Sequence, residues 1–298
     1  MRRRLRLGAF VTGWLMFLSA GVHAQGAPDW SATDRALGRA GTEQQGGVHK
    51  FSFPRSDLSV TVGDVPLKPA LALGSWVAFK KAADGKTMAM GDLVLTADEV
   101  APVMAKLQQG GVEQSALHNH LIGETPPVMY MHIMAKGDAA KIAQTIHDAL
   151  AGTRTPMEAP PAAPPVAAAG IDTGAIAAVM GYFGKSNGGV YQISVPRPEA
   201  LKEGPDEVPP SMGVATAINF QPTGNGRAAI SGDFVMIGSE VNPVIRALRS
   251  GGIAVTALHS HMLDETPRLF FMHFWANDDA VKLATTLRHA LDAMNVKK

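Results

Sequence analysis

The sequence predicts an α+β protein made of two tandem repeats, each an antiparallel sheet with helices on one face in the order β-ββ-α-ββ-α. Three observations carry this. Ala116–His132 (ALHNHLIGETPPVMYMH) returns 141 positions later as Ala257–His273 (ALHSHMLDETPRLFFMH). The longer segments Gly91–Leu150 and Gly232–Leu291 align without gaps at 27 identities in 60 positions, which marks a tandem duplication. Within each copy, period-2 apolar runs joined by tight-turn dipeptides alternate with stretches of helical spacing, and such mixing favours antiparallel sheets covered by helices.

The elements follow in parallel order. A short amphipathic helix is expected around 34–40 and again around 176–182. Val48–Phe53 and Val190–Val195 alternate like strands, and each stops at a Pro-Arg pair, so Arg55 and Arg197 recur. An anion contact or a surface salt bridge would suit these arginines, and the sequence favours the salt bridge. An extended stretch Leu71–Phe79 and a strand Thr87–Leu95 flank Asp84-Gly85. Val214–Phe220 and Ala228–Ile237 flank Asn225-Gly226 in the same way, and these dipeptides tolerate the positive φ of hairpin turns. Thr96-Ala-Asp-Glu99 has capping-box spacing before a helix ended by Gly110-Gly111, and Gly251-Gly252 ends its counterpart. Pro102 and Pro243 are placed in the first turns of these helices, where proline is tolerated. The H-x-H strand, an E-T-P turn and the strand of the third histidine come next. Ala139–Leu150 and Ala280–Leu291 then close the repeats as helices, with Asp138 and Asp279 as N-caps.

The domain division is accordingly a leader over 1–24, a first repeat over 30–151, a linker over 152–170 rich in proline and alanine, and a second repeat over 171–298. The leader joins four arginines to an apolar run from Leu7 to Leu18 and a Val22-His-Ala24 cleavage pattern. That is the three-part form of a secretory signal peptide, too short in its apolar part to span a bilayer. Cleavage near Ala24 would deliver a periplasmic or secreted chain without stable membrane insertion. It would also move the formal charge from +1 to −3, which offers no basic face to nucleic acid. The chain has no cysteine, so it builds neither disulfides nor thiolate sites. The linker reads as an extended spacer.

Six of the nine histidines beyond the leader lie in the repeated block. His118, His120, Glu124 and His132 in the first copy match His259, His261, Glu265 and His273 in the second. Alternate residues of a strand share a face, so H-x-H aims two imidazoles one way, and a hairpin can bring the third beside them. Three neutral imidazoles with a carboxylate form a set for a divalent transition metal: Zn, Fe, Mn or Cu. Their retention in both halves, while neighbours such as Asn119/Ser260 and Pro127/Arg268 drift, favours a shared role. Met129, Met131, Met134, Met262 and Met272 near the block admit copper, although methionine stripes on strands are more often core. Asp92 and Asp233 are equivalent, are placed at strand starts, and are read as structural.

Two local likenesses fail. H-N-H spells a nuclease motif, but the second copy reads H-S-H and no basic surface accompanies it. H-x-H-x3-E is the spacing of the first cupin motif, yet the third histidine follows the glutamate too soon and helices interrupt the strands.

The pattern A-L-H-x-H-x3-E-T-P with M-H downstream, duplicated in an exported chain, resembles the LppY/LpqO family of bacterial proteins of unknown function over about residues 30–295. The resemblance implies export and a duplicated domain, and it supplies no reaction. Some members look like lipoproteins, and the missing cysteine keeps that feature from this chain. The function expected is that of an exported protein binding divalent metal at its histidine blocks, with catalysis undecided. The alternative is a non-catalytic module binding a small molecule or an envelope polymer, in which the His/Glu cluster is a structural hydrogen-bond network.

Overall fold

The computed structural model describes residues 28–159 and 166–298. The proposed leader and the middle of the linker lie outside them. Each half is one six-stranded antiparallel sheet with helices on one face, as the alternating and helical patterns require. In the first half the spatial order is Thr42–Gln44, Val48–Pro54, Gly74–Lys81, Thr87–Thr96, Val128–Gly137, Glu113–His118. In the second it is Lys185–Asn187, Val190–Val195, Thr216–Gly224, Arg227–Ile237, Leu269–Asp279, Ala254–His259. The strand of the third histidine thus lies between the hairpin strand and the H-x-H strand.

Side-chain alternation sorts the sheet into two faces with different partners. Ala89, Leu93 and Leu95 pack with Leu107, Ile142 and Ile146 of the helices, whereas Met88 and Met90 join an apolar cluster shared with Val235 and Phe271 of the other half. The second half mirrors this: Phe234 and Met272 face the helices, while Val235 and Phe271 face the first sheet. The molecule is therefore layered helix, sheet, sheet, helix, with the two sheets meeting on their inner faces. The central strands have two buried faces, so their apolar content is nearly continuous: all ten residues of Thr87–Thr96 are buried.

The meeting of the halves obeys a pseudo-twofold axis. Ser115 donates its hydroxyl to the carbonyl of His261 (2.5 Å), and Thr256, its equivalent, donates to the carbonyl of His120 (2.6 Å). This is the self-complementary pattern of a twofold interface, here between duplicated domains of one chain.

Several local expectations are corrected. The segment expected to be extended from Leu71 begins as a helical turn, Pro69–Ala72, and the strand starts only at Gly74. The first helices span Ser31–Leu37 and Thr173–Met180, slightly earlier than their apolar spacing implied. Pro102 and Pro243 lie in the second helical turn, inside Ala97–Gln109 and Gly238–Ser250. The carbonyl that Pro102 leaves without its helical donor belongs to exposed Asp98, so it is not left unpaired in the core. The E-T-P segments are not plain turns either. Glu124–Thr125 pairs with Thr61–Val62, and Glu265–Thr266 with Lys202–Glu203, in two small three-stranded sheets, and both Thr-Pro bonds are cis.

Other expectations match. Gly85, Asn225 and Gly226 adopt positive φ at the hairpin turns, and Asp138 and Asp279 cap their helices by accepting from the backbone N–H of Lys141 and Lys282. Gly91 and Gly232 have no turn to make. A Cβ there would drive into the cross-strand carbonyls of Trp76 and Ala217, so close packing of the central strands demands glycine at both positions.

Arg55 and Arg197 are the largest departure from expectation. Instead of surface salt bridges they form buried ones. Arg55 is 0% exposed and donates to the Val94 carbonyl (2.6 Å), to Glu99 (2.8 Å) and to Asp57 (2.8 and 2.9 Å). Arg197 repeats the pattern with Val235, Glu240 and Glu199. Glu99 also accepts from the backbone N–H of Thr96, the capping-box contact, and of Arg154. One arginine thus ties the strand, the helix N-terminus and the chain leaving the last helix of its repeat.

Candidate metal centre at the repeat interface

Strand register builds the site. Asp92 stands opposite His132, and Ala116 opposite His132 on its other side, which puts His118 on the face of Tyr130 and His132. The second half repeats this with Asp233 opposite His273 and His259 beside Phe271. That face is the inner one, so each repeat turns its histidines toward the other. The six imidazoles consequently form a single cluster. His118 stacks on His259 with ring centroids 3.6 Å apart, His120 on His273 at 3.7 Å, and His132 on His261 at 3.7 Å. The last two contacts interchange under the pseudo-twofold, and the first lies on it. Tyr130 and Phe271 close the ends by stacking on His120 and His261 at 3.3 and 3.5 Å.

Donor atoms converge in four overlapping groups, each with its atoms within 4.8 Å of one another: His118/His120/His132, His118/His259/His273, His132/His259/His261 and Asp233/His261/His273. His118 Nε2 and His132 Nε2 are 3.0 Å apart, as are His259 Nε2 and His261 Nε2. Two rings have their tautomer set by carbonyls, which can only accept. His118 Nδ1–H donates to the Asn119 carbonyl (3.0 Å) and His273 Nδ1–H to that of Gly232 (2.7 Å). Their Nε2 atoms therefore carry lone pairs into the cluster when neutral. Backbone acceptors orient metal-bound histidines in this way. Among the described residues, the buried atoms without a hydrogen-bond partner include His120 Nε2, His259 Nδ1, His273 Nε2, Asp92 Oδ1 and Asp233 Oδ1. Five orphaned atoms in one buried cluster is costly unless a ligand satisfies them.

The carboxylates of the cluster are aspartates. Asp92 and Asp233 lie in mid-strand and not at strand starts. Asp92 comes within 3.7 Å of His120 and 3.9 Å of His132, and Asp233 within 3.2 Å of His261 and 4.0 Å of His273. Their equivalence was visible in the repeat, but only the register with His132 and His273 shows that they face the imidazoles. Glu124 and Glu265 are not brought into the donor groups. Glu124 accepts from the Val128 N–H (3.2 Å), and Glu265 from the Leu269 N–H (2.9 Å) and from Arg268 (3.1 Å). Burial pushes the Glu124 carboxyl up to about 7. The methionines do not assemble a thioether site: Met131 and Met272 point to the helix-side cores, and Met134 and Met262 to the apolar interface cluster.

Burial controls the protonation of the centre. It pushes the His118 imidazole down to about 4 and, with the nearby His118, that of His273 to about 3; the other four lie below the ordinary histidine value for the same reason. Burial raises Asp92 to about 7 against the pull of Lys50, and raises Asp233 well above the usual carboxylate range. A direction for stability follows. Between about 6.5 and 4 an unfolded chain takes up protons on histidines that the native state leaves neutral, so acid favours unfolding across that window. Asp92 opposes this, because between about 4 and 7 the native state keeps a proton that the unfolded chain releases. Asp233, Glu124 and Glu203 are raised in the same sense, and the six imidazoles outweigh these four carboxyls. The metal-free protein is expected to lose melting temperature as pH falls from 6.5 to 4, and a flat profile would contradict the burial of neutral rings.

Asp92, His120, His132 and their equivalents Asp233, His261 and His273 also line a cavity of about 1140 Å³ between the sheets. The centre is thus reachable by a small molecule. Among the described residues, no helix is long and apolar enough to cross a membrane.

The fold and site define a duplicated α+β protein whose two repeats share one histidine–aspartate centre. The family described as Domain of Unknown Function (DUF1259) matches residues 31–152 and 174–293, one match per repeat, and the chain belongs to that family. No curated protein matches it. Among solved structures, a trimeric bacterial microcompartment shell protein, PduB, aligns at 10% identity and TM-score 0.21 over 86% of this chain and 90% of that one. EtuB from Clostridium kluyveri aligns at 9% identity and TM-score 0.20 over 85% and 90%. Similarity this low carries no argument about fold or function.

Proposed function

We propose that this chain is an exported protein that binds a divalent transition metal, Zn, Fe, Mn or Cu, in the centre shared by its repeats. His118, His120 and His132 with His259, His261 and His273 supply the nitrogens, and Asp92 and Asp233 the carboxylates. The carrying observation is the inward Nε2 lone pairs of His118 and His273, set by carbonyl partners, among buried polar atoms that lack partners. The donor set is nitrogen-rich and thiolate-free, which suits metals that favour imidazole. Export rests on the leader pattern, and the resemblance to the LppY/LpqO family accords with both export and duplication. A metal here would supply Lewis acidity toward a ligand in the cavity. The second reading, a structural hydrogen-bond stack, draws on the two 3.0 Å imidazole contacts.

Metal analysis of untagged protein separates the two. The wild-type chain is expected to carry about one or two transition-metal ions. A His118→Ala/His120→Ala/His132→Ala variant, and the milder His118→Ala/His259→Ala variant at the pseudo-axis, should lose them while circular dichroism reports a retained fold. Metal-free wild-type protein that takes up no added metal would leave the hydrogen-bond stack.

A further inference from the structure

The inner sheet faces are braced across the pseudo-twofold by one pair of equivalent hydrogen bonds with unlike donors. Gln192 donates its side-chain amide to the Ala70 carbonyl (2.8 Å). Its equivalent Lys50 donates Nζ to the Ser211 carbonyl (3.1 Å), and Ser211 is the equivalent of Ala70. The second half therefore shows that a neutral amide performs the bracing. Lys50 adds a positive charge that the brace does not use. That charge sits 4.0 Å above the Trp76 ring, and both side chains line the cavity that reaches Asp92, His120 and His132. A half-buried ammonium with one carbonyl and one aromatic face in contact, and Asp92 beyond ion-pair distance, is short of a directly bound anion, because its three donors are not all matched. Burial lowers its pKa to about 8 against the pull of Asp92, consistent with an amine waiting for a counter-charge.

We propose that the cavity is a ligand site for a small organic carboxylate, held by Lys50 over Trp76, with its other end directed to the histidine–aspartate centre. One ammonium matches one carboxylate end of such a ligand, and in a dicarboxylate the second end is left for the metal-loaded centre. The wall around it includes the hydroxyl-bearing residues Ser52 and Ser194, which leave room and offer hydrogen bonds to a polar ligand. This inference deepens the metal proposal by naming the ligand class of the same site.

The test uses the purified full chain, succinate as the probe, inorganic phosphate as the comparator, and tryptophan fluorescence with calorimetry as readouts. Succinate is expected to bind saturably to metal-loaded protein and to perturb Trp76 emission. Lys50→Gln, which installs the amide that already braces the other half, should keep the melting temperature and metal content and weaken succinate by roughly tenfold or more. Equal succinate affinity in the variant, a preference for phosphate, or no binding of succinate to the folded metal-loaded chain would each overturn the carboxylate site. A chain that holds no metal defeats the earlier proposal instead. Succinate binding that still depends on Lys50 in that chain would support the carboxylate site without the metal.

Discussion

Stripping the metal from the folded chain is expected to lower its melting temperature by roughly 8–16 °C. An ion present at a thousandfold over its dissociation constant stabilises the native state by about 4 kcal/mol when the unfolded chain does not compete. A protein of this size shifts by about 2–4 °C for each kcal/mol. The centre is well placed to have this effect, because its candidate ligands come from both repeats: His118, His120 and His132 from one, and His259, His261 and His273 from the other. A bound ion would join the sheets where Ser115 and Thr256 already bridge them. Scanning calorimetry with and without a chelator measures the shift, and the His118→Ala/His120→Ala/His132→Ala variant supplies the control, which should not respond to chelation. A wild-type transition indifferent to both chelator and added metal would sink the proposal.

Arg55→Met should cost about 3–5 kcal/mol, since removing one partner of a buried ion pair leaves the other charge desolvated and unpaired. Glu99 is 6% exposed and loses its charged donor, keeping only the backbone N–H groups of Thr96 and Arg154. The Val94 carbonyl loses its arginine donor as well. Chemical denaturation would read this as a lower midpoint with an unchanged slope. Replacing Arg55 and Glu99 together with apolar residues should recover part of the loss, because no isolated charge then remains. A single substitution costing under 1 kcal/mol would mean that the pair behaves like a surface salt bridge.

Arg55 is a residue whose setting local spacing does not contain. A recurrent Pro-Arg after a strand was plain in both halves, but a side chain's burial depends on what packs over it. The covering pieces, Glu99 and the chain near Arg154, come from distant positions. Asp92 is a second case. Its equivalence to Asp233 was visible, and its role depended on strand register, which alternation alone leaves free by steps of two residues. Glu124 differs in the opposite sense: chain proximity to H-x-H made it a ligand candidate, while the Thr61–Val62 strand draws its segment into a separate small sheet, outside the donor groups.

The duplication, most strands and helices, the hairpin turns, the helix caps and the histidine blocks are legible in the residues alone. All of these are local: they follow from side-chain period, positive-φ glycine and asparagine, and the repeated spelling of one segment. That the two blocks make one centre follows from long-range packing instead. Each sheet has two apolar faces, and a single repeat can cover just one of them with its own helices. The other face must be buried against its twin, and it is the face from which His118, His132, His259 and His273 project. The pairing of inner faces therefore brings the six imidazoles together, a result of long-range packing that no spacing within either repeat contains.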